Sequence, residues 1–296
     1  MTARGHFTAG DLSPIVFANE TNYGIMVTPG NELGYIRDGG SFRPLDDPHP
    51  HITWRNGKRT FSKANYVTQQ NEAGYTASFE VADHSGCLNS VLQYAHQGTF
   101  ADSLMSKTVG ICERTASTSL VYVGCKVNSF TISADAPGAV VAFEEEAYAS
   151  YSDTGTAVNV SLAYTDAAVQ WVGGVILGDS HYYPQSFKLT INNNLGRVYG
   201  YDSARGSITK ALLEGREEID FEMTLWMEDL GWLTNNMYNG LATGDIKITL
   251  GINAPKVLTL TGLTYKCDGD NTGLVQDKQL QTVRFRAEGM TVSNPA

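Results

Sequence analysis

The chain is poor in cysteine. Cys87, Cys112, Cys125 and Cys267 are the only four in 296 residues, widely spaced and without a C-x-x-C pair. That excludes a zinc ribbon and a disulfide-dense scaffold, and reads as buried free thiols. The chain also lacks positive charge: 21 Lys and Arg stand against 31 Asp and Glu, a formal charge of −10. A basic footprint that grips phosphates by counterion release is therefore missing. An acidic protein that works beside DNA without sticking to it stays compatible with this balance, because like charge repels the polyanion at close range. Nowhere do 18 apolar residues run together, and the start MTARGHFTAGDLSPIVF has no basic stretch leading into a long apolar core. This predicts no membrane span, no secretion leader and a chain that is cytoplasmic when made. The sequons Asn19-Glu20-Thr21 and Asn159-Val160-Ser161 then read as chance matches.

Catalytic signatures are absent too: there is no GxGxxG after a strand, no P-loop, no GxSxG elbow and no HExxH. Asp83-His84-Ser85 has the residue types of a triad, but sequence neighbours point in divergent directions. His49-Pro50-His51 offers two imidazoles with no partner at a metal spacing, and reads as a solvated loop. Asp268-Gly269-Asp270-Asn271 opens like a calcium loop, yet Gln279 stands where the bidentate Glu belongs, so a hairpin turn is the simpler reading. The acidic groups Glu144-Glu145-Glu146 and Glu218, Asp220 and Glu222 raise the question of a glycosidase. On a strand the last three share one face at intervals of about 7 Å, which makes a ladder of charge rather than a converging dyad. Arg284 and Arg286 balance that ladder if the terminal strand lies alongside. No residue is expected to be catalytic, and no metal or cofactor is expected.

What the sequence does have is strand pattern. GYTASFEVAD, SFKLTI and GREEIDFEMTLWMED alternate apolar and polar residues with period 2, the last presenting Ile219, Phe221, Met223 and Leu225 on one face. SLVYVGCKVNSFTISAD and AVVAFEEEAYA are strands joined through Ala136-Pro137-Gly138. DIKITL, KVLTLTGLTYK and LQTVRFRAEGM add further strands, and residues 150 to 175 read as a softer connector. SGCLNSVLQYAHQG places Leu88, Val91, Leu92 and Ala95 on one helix face, with Ser85 and Gly98 as candidate caps, and DLGWLTNNMYNG reads as a second helix. From Gly24 to Gly57 the many Pro and Gly residues favour turns or extended chain. Three units follow: an extended N-terminal arm or loop over 1–58, and two halves over 59–165 and 166–296. The halves share a strand, a Phe-Glu step at Phe79-Glu80 and Phe221-Glu222, a short helix with a Gly-x-Leu start, and a hairpin with a mid-strand glycine, Gly124 or Gly262. A repeat of about 140 residues is far longer than a solenoid unit, which points to a duplicated domain.

Three of these segments in order, VGCKVNSFTISA, SFKLTINNNLGRVYG and LLEGREEIDFEMTLWMED, resemble the major tail tube proteins of long-tailed phages and archaeal tailed viruses. The resemblance spans about residues 60 to 290. It implies a mainly β fold, a sandwich with flanking short helices whose inner sheet joins its neighbours' into a β-barrel ring. Rings stack around a tape measure protein, with tail terminator and distal tail proteins as further partners, and viral DNA passes through the lumen without specific binding. The protein then belongs to the virion tail, and to the host cytoplasm during assembly. Duplication favours trimeric rings with pseudo-sixfold symmetry over hexameric ones. Glu218, Asp220 and Glu222 become candidates for the lumen face; Asn192, Asn193, Asn194 and Arg197, where a strand leaves its sheet, become candidates for a subunit interface. The arm suits ring-to-ring contacts. The competing reading is a carbohydrate-binding β-sandwich or adhesin with Trp171, Tyr182 and Tyr183 as stacking platforms.

Overall fold

The computed structural model describes residues 13–36, 41–45, 47–52, 66–83, 86–96, 103–111, 118–156, 167–178, 180–203, 206–226, 244–266, 272–275 and 278–295. In chain order these give β1 (Ser13–Asn19), β2 (Asn31–Ile36), β3 (Ser41–Pro44), β4 (Asp47–Ile52), β5 (Tyr66–Glu72), β6 (Gly74–Phe79), helix α1 (Cys87–Ala95), β7 (Lys107–Ile111) and β8 (Thr118–Ala134). Then come β9 (Ala142–Tyr148), β10 (Tyr151–Thr156), β11 (Trp171–Leu177), β12 (Ser180–Tyr182), β13 (Ser186–Asn192), β14 (Gly196–Asp202), β15 (Gly206–Leu213) and β16 (Glu218–Trp226). The chain ends with β17 (Ile246–Leu250), β18 (Lys256–Thr261), β19 (Thr264–Lys266), β20 (Thr272–Val275), β21 (Lys278–Ala287) and β22 (Gly289–Ser293).

All strand pairs are antiparallel, so the mainly β expectation holds. One layer is a path of eight strands, β3-β6-β9-β8-β13-β16-β21-β19, with β20 beside β19 on the same side of β21. Period-2 alternation explains how these segments settle there. Phe79, Phe143, Ile132, Leu189, Phe221 and Phe285 lie one opposite the next along a single row and are buried. Their neighbours in sequence are polar and point to the other face. The apolar face is covered by two five-strand sheets, β10-β8-β7-β1-β2 and β12-β11-β17-β18-β22, and by α1. One cluster of buried residues runs from Ile15 to Met290 and takes side chains from every layer. The hairpins β14–β15 and β4–β5 form two small sheets of their own.

The segment expected as an extended arm is partly strand and core. β1 pairs with β2 and β7, β3 pairs with β6, and Ile15, Phe17, Leu33 and Tyr35 are buried. The alternation was missing because four successive residues, Ile15 to Ala18, are all buried, as in a strand covered on both faces. Pro29 and Gly30 lie between strands instead of breaking them. Removing residues 1–57 would therefore strip core as well as any contact surface. His49-Pro50-His51 is not a loop but lies in β4, with an irregular register between His49 and Pro50, as suits a residue without an N–H. The softer connector contains β10 and the start of β11.

Helix α1 buries Leu88, Val91, Leu92 and Ala95 as its spacing predicts. Gly86, with φ 96°, precedes it without a side-chain cap. Ser85, Gly98, the expected second helix and Asp268-Gly269-Asp270-Asn271 lie outside the described residues.

A buried ion pair ties the layers together. Glu145 points into the core from β9, and its carboxylate meets Lys107 Nζ of β7 at 2.7 and 3.0 Å, with both side chains fully enclosed. The Tyr75 hydroxyl donates to the same carboxylate, and Lys107 Nζ lies 4.9 Å from the Tyr94 ring. Burial, with the Glu145 charge beside it, pushes the Tyr75 phenol well up. Removing one member of such a pair leaves an uncompensated buried charge, whereas removing both can be nearly neutral. Lys107→Met alone should lower unfolding stability by about 3–5 kcal/mol, and Lys107→Met with Glu145→Leu should recover most of the loss, as read from urea unfolding midpoints.

Candidate functional site

The exposed face of the eight-strand path is polar from edge to edge, and strand register sets which residues meet on it. One row reads Ser41, Ser78, Glu144, Thr131, Thr190, Asp220, Arg286 and Thr264. A second takes Ser133, Lys188, Glu222 and Arg284. A third takes Arg43, Thr76, Glu146, Ser129, Asn192 and Glu218. The Thr131 and Thr190 hydroxyls meet at 3.4 Å and those of Thr224 and Thr282 at 3.3 Å.

The expected balancing of the acidic ladder is present. Arg284 Nε donates to Glu222 at 2.7 Å. Arg286 bonds Asp220 at 2.9 and 3.0 Å and reaches Glu218 at 3.2 Å. Its bond to Asp220 raises the already high pKa of Arg286. Each group is about a third exposed, so each pair contributes only about 0.2–1 kcal/mol. Their larger effect is on the field, because carboxylates (Glu144, Glu146, Glu218, Asp220 and Glu222 among them) share this face with cations that include Arg43, Lys188, Arg284 and Arg286. The net charge of −10 is not concentrated here. Alternation in SFKLTI puts Lys188 on the polar side of its strand, but only the register places it opposite Glu222, as a further cation beside the ladder. Two adjoining depressions of about 320 and 270 Å³ lie on either side of Lys188.

The asparagine run divides into three roles. Asn192 ends β13 on the polar face. Asn193 is fully buried, and its amide donates to the carbonyls of Ala95 and Val127 at 3.0 Å each, tying α1 to β8. Asn194 takes the left-handed turn, φ 50°, and donates to the Arg216 carbonyl at 2.8 Å. Arg197 is held inside the subunit: its guanidinium lies 4.2 Å from the Tyr148 ring centre and bonds the Ala73 carbonyl at 2.9 Å. Asn193 thus spends its amide N–H groups, and Arg197 its guanidinium, within the chain.

The other candidates separate in the same way. The acid triplet is split, with Glu145 in the core and Glu144 and Glu146 on the polar face. The Asp83 carboxylate accepts the backbone N–H groups of Ile252, Asn253 and Ala254, which makes it a clamp on the β17–β18 turn; His84 and Ser85 lie outside the described residues. Trp171 is fully buried edge-on to Phe187 and cannot be a stacking platform, Tyr182 packs against the core, and Tyr183 alone of the three is exposed. Glu20, within one sequon, accepts from the Gly24 and Gly124 N–H groups and from the Thr108 hydroxyl. Burial raises the Cys125 thiol pKa well above its ordinary range, so that thiol is inert. Among the described residues no helix is long and apolar enough to cross a membrane.

The described residues thus form a layered β protein whose broad sheet face is polar. The chain matches the family model for phage tail tube proteins over residues 15–287 and belongs to that family; it is a component of the virion tail. No curated protein matches it.

Asn193→Ala removes both bonds to the Ala95 and Val127 carbonyls and should cost about 1–3 kcal/mol, while Asn192→Ser, on the half-exposed side, should change little. Thermal unfolding of the two variants checks the contrast.

Proposed function

We propose that three copies of this chain close into a ring, that their eight-strand sheets join as one barrel, and that the polar face lines the lumen. Rings then stack around the tape measure protein, between distal tail proteins and the tail terminator, into the conduit through which viral DNA passes. The observation that carries this reading is strand order. β3-β6-β9-β8 and β13-β16-β21-β19 are two four-strand units in series, the first drawn from residues 41–148, so that it takes in a strand of the expected arm, and the second from residues 186–287. Such a doubling supports a duplicated tube domain and a trimer with pseudo-sixfold symmetry.

Size favours three copies as well. Twenty-four strands spaced about 4.8 Å apart make a circumference of roughly 115 Å before strand tilt widens it. After side chains are allowed for, the opening is on the order of 30 Å, which suits a duplex, whereas six copies would double the circumference. The mid-strand glycines support the repeat less well. Gly124 and Gly262 both have left-handed φ, 71° and 64°, but strand pairing puts Gly124 seven residues before Thr131 and Gly262 two before Thr264, its counterpart in the row.

The face is suited to passage rather than binding. Arg284 and Arg286 are occupied by Glu218, Asp220 and Glu222, so a phosphate that approaches them must displace a carboxylate, and hydroxyls fill much of the rest. Of the strand-end candidates, Asn194 is the one left exposed, at a rim position. The exposed apolar residues Ile25 and Met26, and Tyr201 and Leu213 on the β14–β15 hairpin, are of the kind that contact surfaces use.

Replacing Glu218→Gln, Asp220→Asn and Glu222→Gln together releases Arg284 and Arg286 toward the lumen. DNA ejection should then slow at low ionic strength and recover as salt rises. Unchanged low-salt ejection from tubes of normal length would remove these residues from the lumen.

A further inference from the structure

The ring reading leaves open which edges meet, and the chain contains its own template for that contact. Within the eight-strand path, β6 is flanked by β3 and β9, and β9 passes to β8. β16 is flanked by β13 and β21, and β21 passes to β19. The order is the same in both units, and so is the register. Laying Phe79-Glu80 on Phe221-Glu222 brings Phe143, opposite Phe79, onto Phe285, opposite Phe221. One strand further, Thr131, opposite Glu144, falls on Thr264, opposite Arg286. On the other side Ser41, opposite Ser78, falls on Thr190, opposite Asp220. Positions matched this way carry like residues, Phe with Phe, Thr with Thr and Ser with Thr, while Glu144 falls on Arg286.

The two units are joined by β8 against β13, antiparallel, with Thr131 opposite Thr190. Among the described residues β3 and β19, at the ends of the path, have no strand on their outer edges. Such edges carry rows of unpaired backbone groups that template pairing with another chain. A contact of one end with the other is head-to-tail, and repeats until it closes.

We infer that β19 of one copy pairs antiparallel with β3 of the next in the register of the β8–β13 junction. Thr264 then stands opposite Ser41, two hydroxyl residues where the internal junction has Thr131 and Thr190. Leu263, which is buried, comes opposite Phe42, which stacks on Tyr75 at 4.8 Å and is only half buried in the single chain. The apolar and polar rows thereby continue across the subunit boundary with the correct parity, since a slip of one residue would turn every side chain to the wrong face. The inference rests on the ring reading and adds the identity and register of the edges.

The test is a cysteine pair, Ser41→Cys with Thr264→Cys, in the full chain, with each single replacement as the background for the native thiols. Directly opposed positions bring Cβ atoms to about 4.5–5.5 Å, within reach of a short bifunctional thiol reagent. Crosslinking of assembled tubes should convert the monomer band to a closed trimer that neither single variant forms. The register-shifted pair Ser41→Cys with Leu263→Cys should leave the monomer band in place. Tubes that form normally while the opposed pair stays monomeric would overturn the edge assignment and leave the ring reading standing. Wild-type protein that forms neither rings nor tubes in negative stain would overturn both. Hydrogen exchange on the wild type covers a variant that does not assemble. Amides of 41–43 and 264–266 should gain protection on tube formation, and unchanged exchange there would overturn the assignment.

Discussion

Strand β8 belongs to both layers, and the corner in its middle is the constraint from which the rest of the arrangement follows. Its first part pairs with β10 and β7, and its second part, from Lys126 on, with β9 and β13. A strand that changes sheets has to bend, and bends are made with left-handed glycines and bulges. Gly124 supplies φ 71°, and the register slips between Val127 and Ser129. A side chain at 124 would bring its Cβ to 2.8 Å from that of Ser150, so the corner requires glycine twice over. Glu20 fixes it from one side through the Gly124 N–H and the Thr108 hydroxyl, both at 2.7 Å. Asn128 fixes it from the other, donating to Glu146 and Tyr148 and accepting the Leu195 N–H. That last bond, with Asn193 on Val127, ties the end of β13 to the corner, so the junction between the two four-strand units is set where the layers diverge.

The buried Lys107–Glu145 pair acts on register rather than on net stability, because desolvation offsets most of what such a pair gains. If β9 slipped by one residue, Glu144 and Glu146 would turn into the core with a single lysine to meet them, and Glu145 would face out. The triplet therefore has one stable placement. It also sorts the acidic residues: the carboxylate facing Lys107 bridges the layers, and its neighbours decorate the polar face.

How much of this was readable depended on whether a segment has one wet face. β6, β13, β16 and β21 do, and their alternation gave element, face and even the pairing of Arg284 and Arg286 with the ladder. β1 is buried on both sides, so period 2 vanished and the proline-rich surroundings dominated the reading. Glu145 could not be told from Glu144 and Glu146 by composition, although strict alternation with Phe143 and Ala147 marked it as the inward one. Asn193 was hidden for a different reason. A run of identical polar residues carries no face signal, and only the chain's turn at Asn194 separates the exposed asparagine from the enclosed one. Trp171 shows the converse, an aromatic whose apolar neighbours in β11 argue for core and whose size argues for a binding platform.

The two four-strand units agree on the inner face and differ on the outer one, and packing explains why. Phe79 and Phe143 in one unit match Phe221 and Phe285 in the other, because the rows must fill a closed interior at near-crystalline density. The polar side is held only to polarity. Glu144 corresponds to Arg286 and Ala142 to Arg284, so the second unit pairs its carboxylates with arginines, whereas the first presents Glu144 among hydroxyls and Glu146 beside Asn128, in one row with Arg43. In a closed assembly of three chains the backbone would repeat six times around the axis and the charge only three. In such an assembly a polyanion moving along the wall would meet sectors of paired carboxylates and arginines alternating with sectors where Glu144 and Glu146 share the face with Arg43 and hydroxyl groups.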